Sequence, residues 1–168
     1  GASPVRVGRP PANVRAGRVG RGVAGAGLAL GGKHAAFVMR EANRDLGTDG
    51  ILGSAFGTTG QRCTACSRVI VEKQVLEPLL EKLESRARKL RLGSGLDETV
   101  DVGPLINEAA VEKVGSYVDI GRSEGELILG GAAAIDGDLA YGNFFSPTIF
   151  SGVMPLDRIA QREIFGAV

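Results

Sequence analysis

Phe56-Gly57-Thr58-Thr59-Gly60-Gln61-Arg62-Cys63-Thr64-Ala65-Cys66-Ser67-Arg68-Val69-Ile70-Val71 is the stretch on which the fold turns. Its end, residues 68–71, is a short β-branched run of the kind that forms a strand. Upstream, residues 45–56 read as a helix interrupted by glycines, each of which weakens it. Before that, residues 35–39 are a short apolar run, read as a strand. Downstream, Val75, Leu76, Leu79, Leu80, Leu83, Ala87 and Leu90 recur at three- and four-residue spacing, so residues 75–92 read as a helix that Gly93 can cap. Asn107 is a natural N-cap for a further helix to about residue 123, ending at Gly125. Residues 127–129 read as a strand closed by Gly130 and Gly131, residues 137–142 as a loop, and residues 147–150 as extended chain. Strands alternating with helices give an α/β class with a mostly parallel sheet.

Length and composition agree with that class. The chain has 168 residues, 43% hydrophobic and 23% charged, with no Trp, so its core is mainly aliphatic. No apolar run approaches the roughly 18 residues of a membrane span, and the N-terminus lacks the order of regions found in a signal peptide. The expectation is a soluble, cytoplasmic protein with no membrane partner. The net charge of +1 is unevenly spread: residues 1–40 hold seven Lys and Arg and no acid, whereas residues 41–168 carry a net −6. Within residues 1–28, all but Ser3, Asn13 and Leu28 are Gly, Ala, Arg, Pro or Val. No period runs through them, and Pro10-Pro11 breaks any regular element. The chain therefore divides into an irregular arm, residues 1–28, and a folded domain, residues 29–168. The arm's five residue types are those of GC-rich codons, which makes an out-of-frame origin one reading of it. Its Arg and Gly could track phosphates, but it has no aromatic side chains for stacking, so no nucleic-acid partner is expected.

Several short motifs admit more than one reading. Gly20-Arg21-Gly22-Val23-Ala24-Gly25 fits the dinucleotide-binding glycine pattern, yet no apolar strand precedes it. Gly27 through Lys33 fits the start of a phosphate-binding loop, but His34 stands where Ser or Thr would hold Mg²⁺. Cys63 and Cys66 form a C-x-x-C pair. As half a zinc site it lacks partners, since His34 is the one histidine and there are no other cysteines, so no metal is expected. A redox pair and two buried small hydrophobes both remain open for it.

The segment around Cys63 resembles the nucleophile segment of the aldehyde dehydrogenase family. Leu30-Gly31-Gly32-Lys33, Asp101-Val102-Gly103-Pro104-Leu105-Ile106, Phe145-Ser146-Pro147-Thr148 and Glu163-Ile164-Phe165-Gly166 resemble further segments of the same family, in the family's order. The resemblance implies an aldehyde dehydrogenase-like catalytic domain, in part, over residues 29–168. It implies oxidation of a small aldehyde to a carboxylic acid with NAD or NADP, through a thiohemiacetal and then a thioester on Cys63. It further implies that Glu163 accepts hydrogen bonds from the nicotinamide ribose and that Phe165 packs near the nicotinamide. The full-length parent is expected to be a homo-oligomer.

One departure bears on the chemistry. The residue before Leu30 is a glutamate in the family, the general base, and here it is Ala29. Losing a positioned base costs about 10²–10⁴-fold in rate, and the resemblance covers only part of a full enzyme of this family, so this chain is expected to be impaired by truncation and by Ala29. The alternative is a non-catalytic relative that acts as a binding or assembly partner.

Overall fold

In the computed structural model, residues 31–168 are described, and residues 33–168 form one compact unit. The arm, Ala29 and the glycine motif at residues 20–25 lie outside the described residues, as does most of the motif at residues 27–33.

Strand β1 (His34–Val38) pairs in parallel with β2 (Cys66–Val71), with Phe37 opposite Ile70 and Val38 opposite Val71. Alternation then sorts the side chains. Ala36, Val38, Val69 and Val71 face a core built with Ile51, Leu52 and Phe56 of helix α1 (Arg44–Phe56) and Leu79, Leu83 and Ala87 of helix α2 (Leu76–Ala87). On the other face Phe37 and Ile70 are exposed.

Helix α1 begins one residue before the expected position because Asn43 caps it, its Oδ1 accepting from the Asp45 and Leu46 amides. Asp45 takes the Lys82 ammonium at 2.7 Å, and Arg86 reaches both Asp45 and Asp49, so α1 is tied to α2 by charge as well as by apolar contact. Helix α2 follows a 3₁₀ turn over Lys73–Val75. Pro78 sits in its first turn, where a missing N–H costs nothing.

The helical period predicted for residues 75–92 stops early, at Ala87. Leu90 and Leu92 still pack on the core, but from irregular chain. The Arg91 carbonyl accepts from the Asp101 and Val102 amides, and the Gly93 amide donates to the Val102 carbonyl. Long-range pairing has replaced the last helical turn while keeping its apolar residues inside.

Helix α3 (Glu108–Glu124) starts at Asn107, whose Oδ1 accepts from the Ala110 amide at 2.9 Å, and ends at Gly125. Strand β3 (Glu126–Leu129) pairs antiparallel with β4 (Ile149–Ser151). The α/β class stands; of the two strand pairs among the described residues, one is parallel and one antiparallel. Residues 137–141 form a 3₁₀ turn inside the expected loop. A four-residue helix, α4 (Arg158–Gln161), leads to the C-terminal segment. Leu105, Val114, Val118, Phe145, Ile159 and Ile164 make a second core that anchors this half. No described helix is long and apolar enough to cross a membrane.

Candidate active site

Helix α1 runs into a turn whose backbone leaves the ordinary regions. Thr59 and Gly60 both have positive φ, 55° and 65°. The Thr59 amide donates to the Phe56 carbonyl and the Gln61 amide to the Thr58 carbonyl. A β-branched residue in the left-handed region is costly and persists only where its surroundings fix it. Thr59 is fixed: its side chain is buried, and its hydroxyl donates to the Gly103 carbonyl at 3.0 Å. Gln61 makes a second tie, its Nε2 donating to the Pro104 carbonyl and its Oε1 accepting from the Ile106 amide. Gly60 approaches the backbone of Gly166 so closely that a Cβ there would overlap the Gly166 carbonyl. Only glycine fits both the φ and the contact.

Beyond this turn the Ala65 amide donates to the Arg62 carbonyl, closing a second reversal with Cys63 at its second position. Cys63 is exposed and Cys66 buried, and both are free thiols. Cys66 belongs to the strand: its amide donates to the Ser54 hydroxyl, and its thiol lies 3.4 Å from the Arg68 carbonyl. Burial pushes the Cys66 thiol up, despite hydrogen bonding to the Ala36 and Arg68 backbone, so it is the less easily ionised form of a cysteine.

Glu163 and Phe165 follow α4. Glu163 is half-buried, Ile164 buried, and Phe165 is 42% exposed with φ at 61°. The segment is held on both sides of that strained residue. Ile164 belongs to the second core, Ala167 accepts from the Thr148 amide at 2.9 Å, and Gly166 meets Gly60. Lys33, directly before β1, accepts on its carbonyl from Arg68, and its ammonium feels the charges of Arg68, Glu163 and Lys113. Burial, with Arg68 adding to it, lowers the Lys33 ammonium to about 8, while Glu163 pulls the other way.

The fold thus brings together the turn that leads to Cys63, three residues on, and the segment that carries Glu163 and Phe165, through the Gly60–Gly166 backbone contact. It gives Cys66 a buried place in a strand, apart from exposed Cys63. Among the described residues no group of three or more His, Cys, Asp or Glu could hold a metal ion. Thr59, Gln61 and Arg68 were not legible as site residues. Their partners lie 35 to 92 residues away, and no local spacing signals such a bond.

The model of the aldehyde dehydrogenase family matches residues 13–168, reaching back into the arm. A 1-pyrroline-5-carboxylate dehydrogenase from Staphylococcus epidermidis is 44% identical over 139 residues, which cover 83% of this chain and 26% of that protein. The crystal structure of a 1-pyrroline-5-carboxylate dehydrogenase from Thermus with bound NAD is 43% identical with a TM-score of 0.76, over 82% of this chain and 26% of its own. Betaine aldehyde dehydrogenase from Staphylococcus aureus in complex with NAD+ superposes with a TM-score of 0.86 at 31% identity, over 94% of this chain and 32% of its own. The chain spans about a quarter of the length of the curated relatives it matches.

Proposed function

Because the chain belongs to the aldehyde dehydrogenase family, we propose that Cys63 is the nucleophile in an oxidation of an aldehyde to a carboxylic acid with NAD. An aldehyde carbon is a poor hydride donor until a nucleophile has added to it. The Cys63 thiolate adds to the carbonyl carbon, and the carbonyl π pair moves to oxygen, giving a thiohemiacetal oxyanion. The Cys63 backbone N–H is the donor this chain offers to that oxyanion. The nicotinamide ring, when bound, takes the hydride that leaves this carbon. What remains on Cys63 is a thioester, which water cleaves to release the acid and the thiol.

The residues present fit a nicotinamide riboside. Vicinal ribose hydroxyls call for an acceptor with two oxygens, and half-buried Glu163 is one. The ring calls for an apolar face, and Phe165 presents a partly exposed aromatic one residue past buried Ile164. The observation that carries the reading is the Gly60–Gly166 contact, which joins the turn three residues before Cys63 to the segment that follows Glu163 and Phe165. The names of the relatives point to a small semialdehyde as substrate, with the ring-opened form of 1-pyrroline-5-carboxylate the first to try. A cytoplasmic place and assembly into a homo-oligomer belong to the same reading of the parent enzyme, as does the division into an arm, residues 1–28, and a domain, residues 29–168.

A second reading rests on Ala29, which cannot take a proton: a non-catalytic relative that binds an aldehyde dehydrogenase subunit. NADH formation with a panel of small aldehydes separates the two. Activity that rises in Ala29→Glu and vanishes in Cys63→Ala supports the oxidation. A folded chain with no activity in any version would discard it in favour of the binding role.

A further inference from the structure

Helix α4 has four residues, too few to hold a shape on its own, yet the segment it leads carries Glu163. One side chain crosses to it from the strand that follows Cys63. Arg68, in β2, donates through one terminal nitrogen to the Ala160 carbonyl at 3.3 Å, three residues before Glu163. Through the other it donates to the Lys33 carbonyl at 2.7 Å. The Glu163 charge in turn acts on the Lys33 ammonium, favouring its charged form. The backbone that leads to Glu163 and the backbone of Lys33 are therefore tied to one guanidinium. The planar fork makes two bonds in fixed relative directions, which an ammonium on a flexible stem cannot do. The third donor, Nε, is buried with no hydrogen-bond partner among the described residues. An apolar side chain would avoid burying that donor unpaired, so stability alone is a poor account of an arginine here.

We propose that Arg68 is a positioning residue: by bracketing the Lys33 and Ala160 carbonyls it sets the Glu163 carboxylate relative to Cys63, and so tunes the hold on the nicotinamide ribose. The proposal rests on the ribose reading of Glu163. Arg68 touches neither substrate nor cofactor; it acts through the segment it fastens.

The test is a double-mutant cycle on the full chain, with NADH fluorescence as the binding readout and circular dichroism to confirm folding. Glu163→Gln and Arg68→Met should each weaken NADH binding by roughly tenfold, about what one charge-assisted hydrogen bond supplies. The double variant should be no weaker than Glu163→Gln alone, because Arg68 acts through Glu163. Arg68→Lys, able to serve only one carbonyl, should fall between wild type and Arg68→Met. If Arg68→Met does not fold, Arg68→Lys carries the cycle: its loss must disappear in the Glu163→Gln background. Wild-type affinity in the folded Arg68 variants, or losses that multiply in the double variant, would overturn the bracket and leave the ribose reading standing. No effect of Glu163→Gln would overturn the ribose reading, and the proposal with it.

Discussion

Replacing Gly60 with alanine should damage this protein more than most glycine substitutions would. The residue has a φ of 65°, where an alanine costs about 1–2 kcal/mol. Its new Cβ would overlap the carbonyl carbon and oxygen of Gly166 and stand 3.1 Å from the Ala167 nitrogen. Every one of those atoms is backbone, so no rotamer change relieves the overlap. The two segments must part by roughly 1 Å, an overpacking cost of about 1–3 kcal/mol. The sum is about 2–5 kcal/mol, a large share of the 5–15 kcal/mol typical of a folded domain. Urea unfolding followed by circular dichroism measures it. Gly47→Ala is the control: beyond its chain neighbours and its own helical backbone, no described atom lies within 4 Å of its added Cβ, and the helix should gain up to about 1 kcal/mol. A Gly60→Ala midpoint within about 0.5 kcal/mol of wild type would refute the reasoning, because the turn could then separate from the Gly166 backbone at no cost.

Three further outcomes follow from the packing and burial described above. Iodoacetamide at neutral pH should modify one thiol quickly, Cys63, and the second only on denaturation, since Cys66 is buried and its thiol pushed up; peptide mapping that found Cys66 first would contradict this. Lys33→Met should stabilise the chain at pH 7 and lose that advantage as pH rises from about 8 to 10.5. The folded ammonium titrates near 8 against 10.5 for a free lysine, so in that window the unfolded chain binds more protons and wild-type stability climbs with pH. The gap sets an upper limit of about 3 kcal/mol, read from urea midpoints across the pH range. Gly121→Ala should cost about 1–3 kcal/mol, because its Cβ would stand 2.7–3.0 Å from three ring atoms of Phe150, where α3 crosses β4; an unchanged melting temperature would mean the ring can move aside.

What the sequence made legible was whatever is local. The β-branched run at residues 68–71 is inside β2, and Asn107 caps α3 as its side chain and position imply. Cys63, Glu163 and Phe165 were singled out by resemblance alone, and the turn before Cys63 meets the backbone just after Phe165. What escaped was set by distant partners. The apolar period through Leu90 promised helix, but pairing of residues 91–93 with residues 101–102 gave those residues a different backbone and the same core. The antiparallel partner of β3 lies about twenty residues on, and the bonds of Thr59, Gln61 and Arg68 span still longer separations. A side chain that donates to a remote carbonyl leaves no period behind.

The make-up of α1 also bears on the order in which the protein assembles. Gly47, Gly50 and Gly53 each weaken a 13-residue helix by up to about 1 kcal/mol, and Thr48 spends its hydroxyl on the Arg44 carbonyl. A helix so short and so poor in formers does not persist alone in water. Its ionic ties end on Lys82 and Arg86, and its apolar ones on Leu79 and Leu83 as well as on β1 and β2, so it must wait for α2 and the strands. The turn bearing Cys63 hangs from its C-terminus and should be completed late on the folding path. Conservative truncations in α2 should then slow folding, and those in α1 should chiefly speed unfolding.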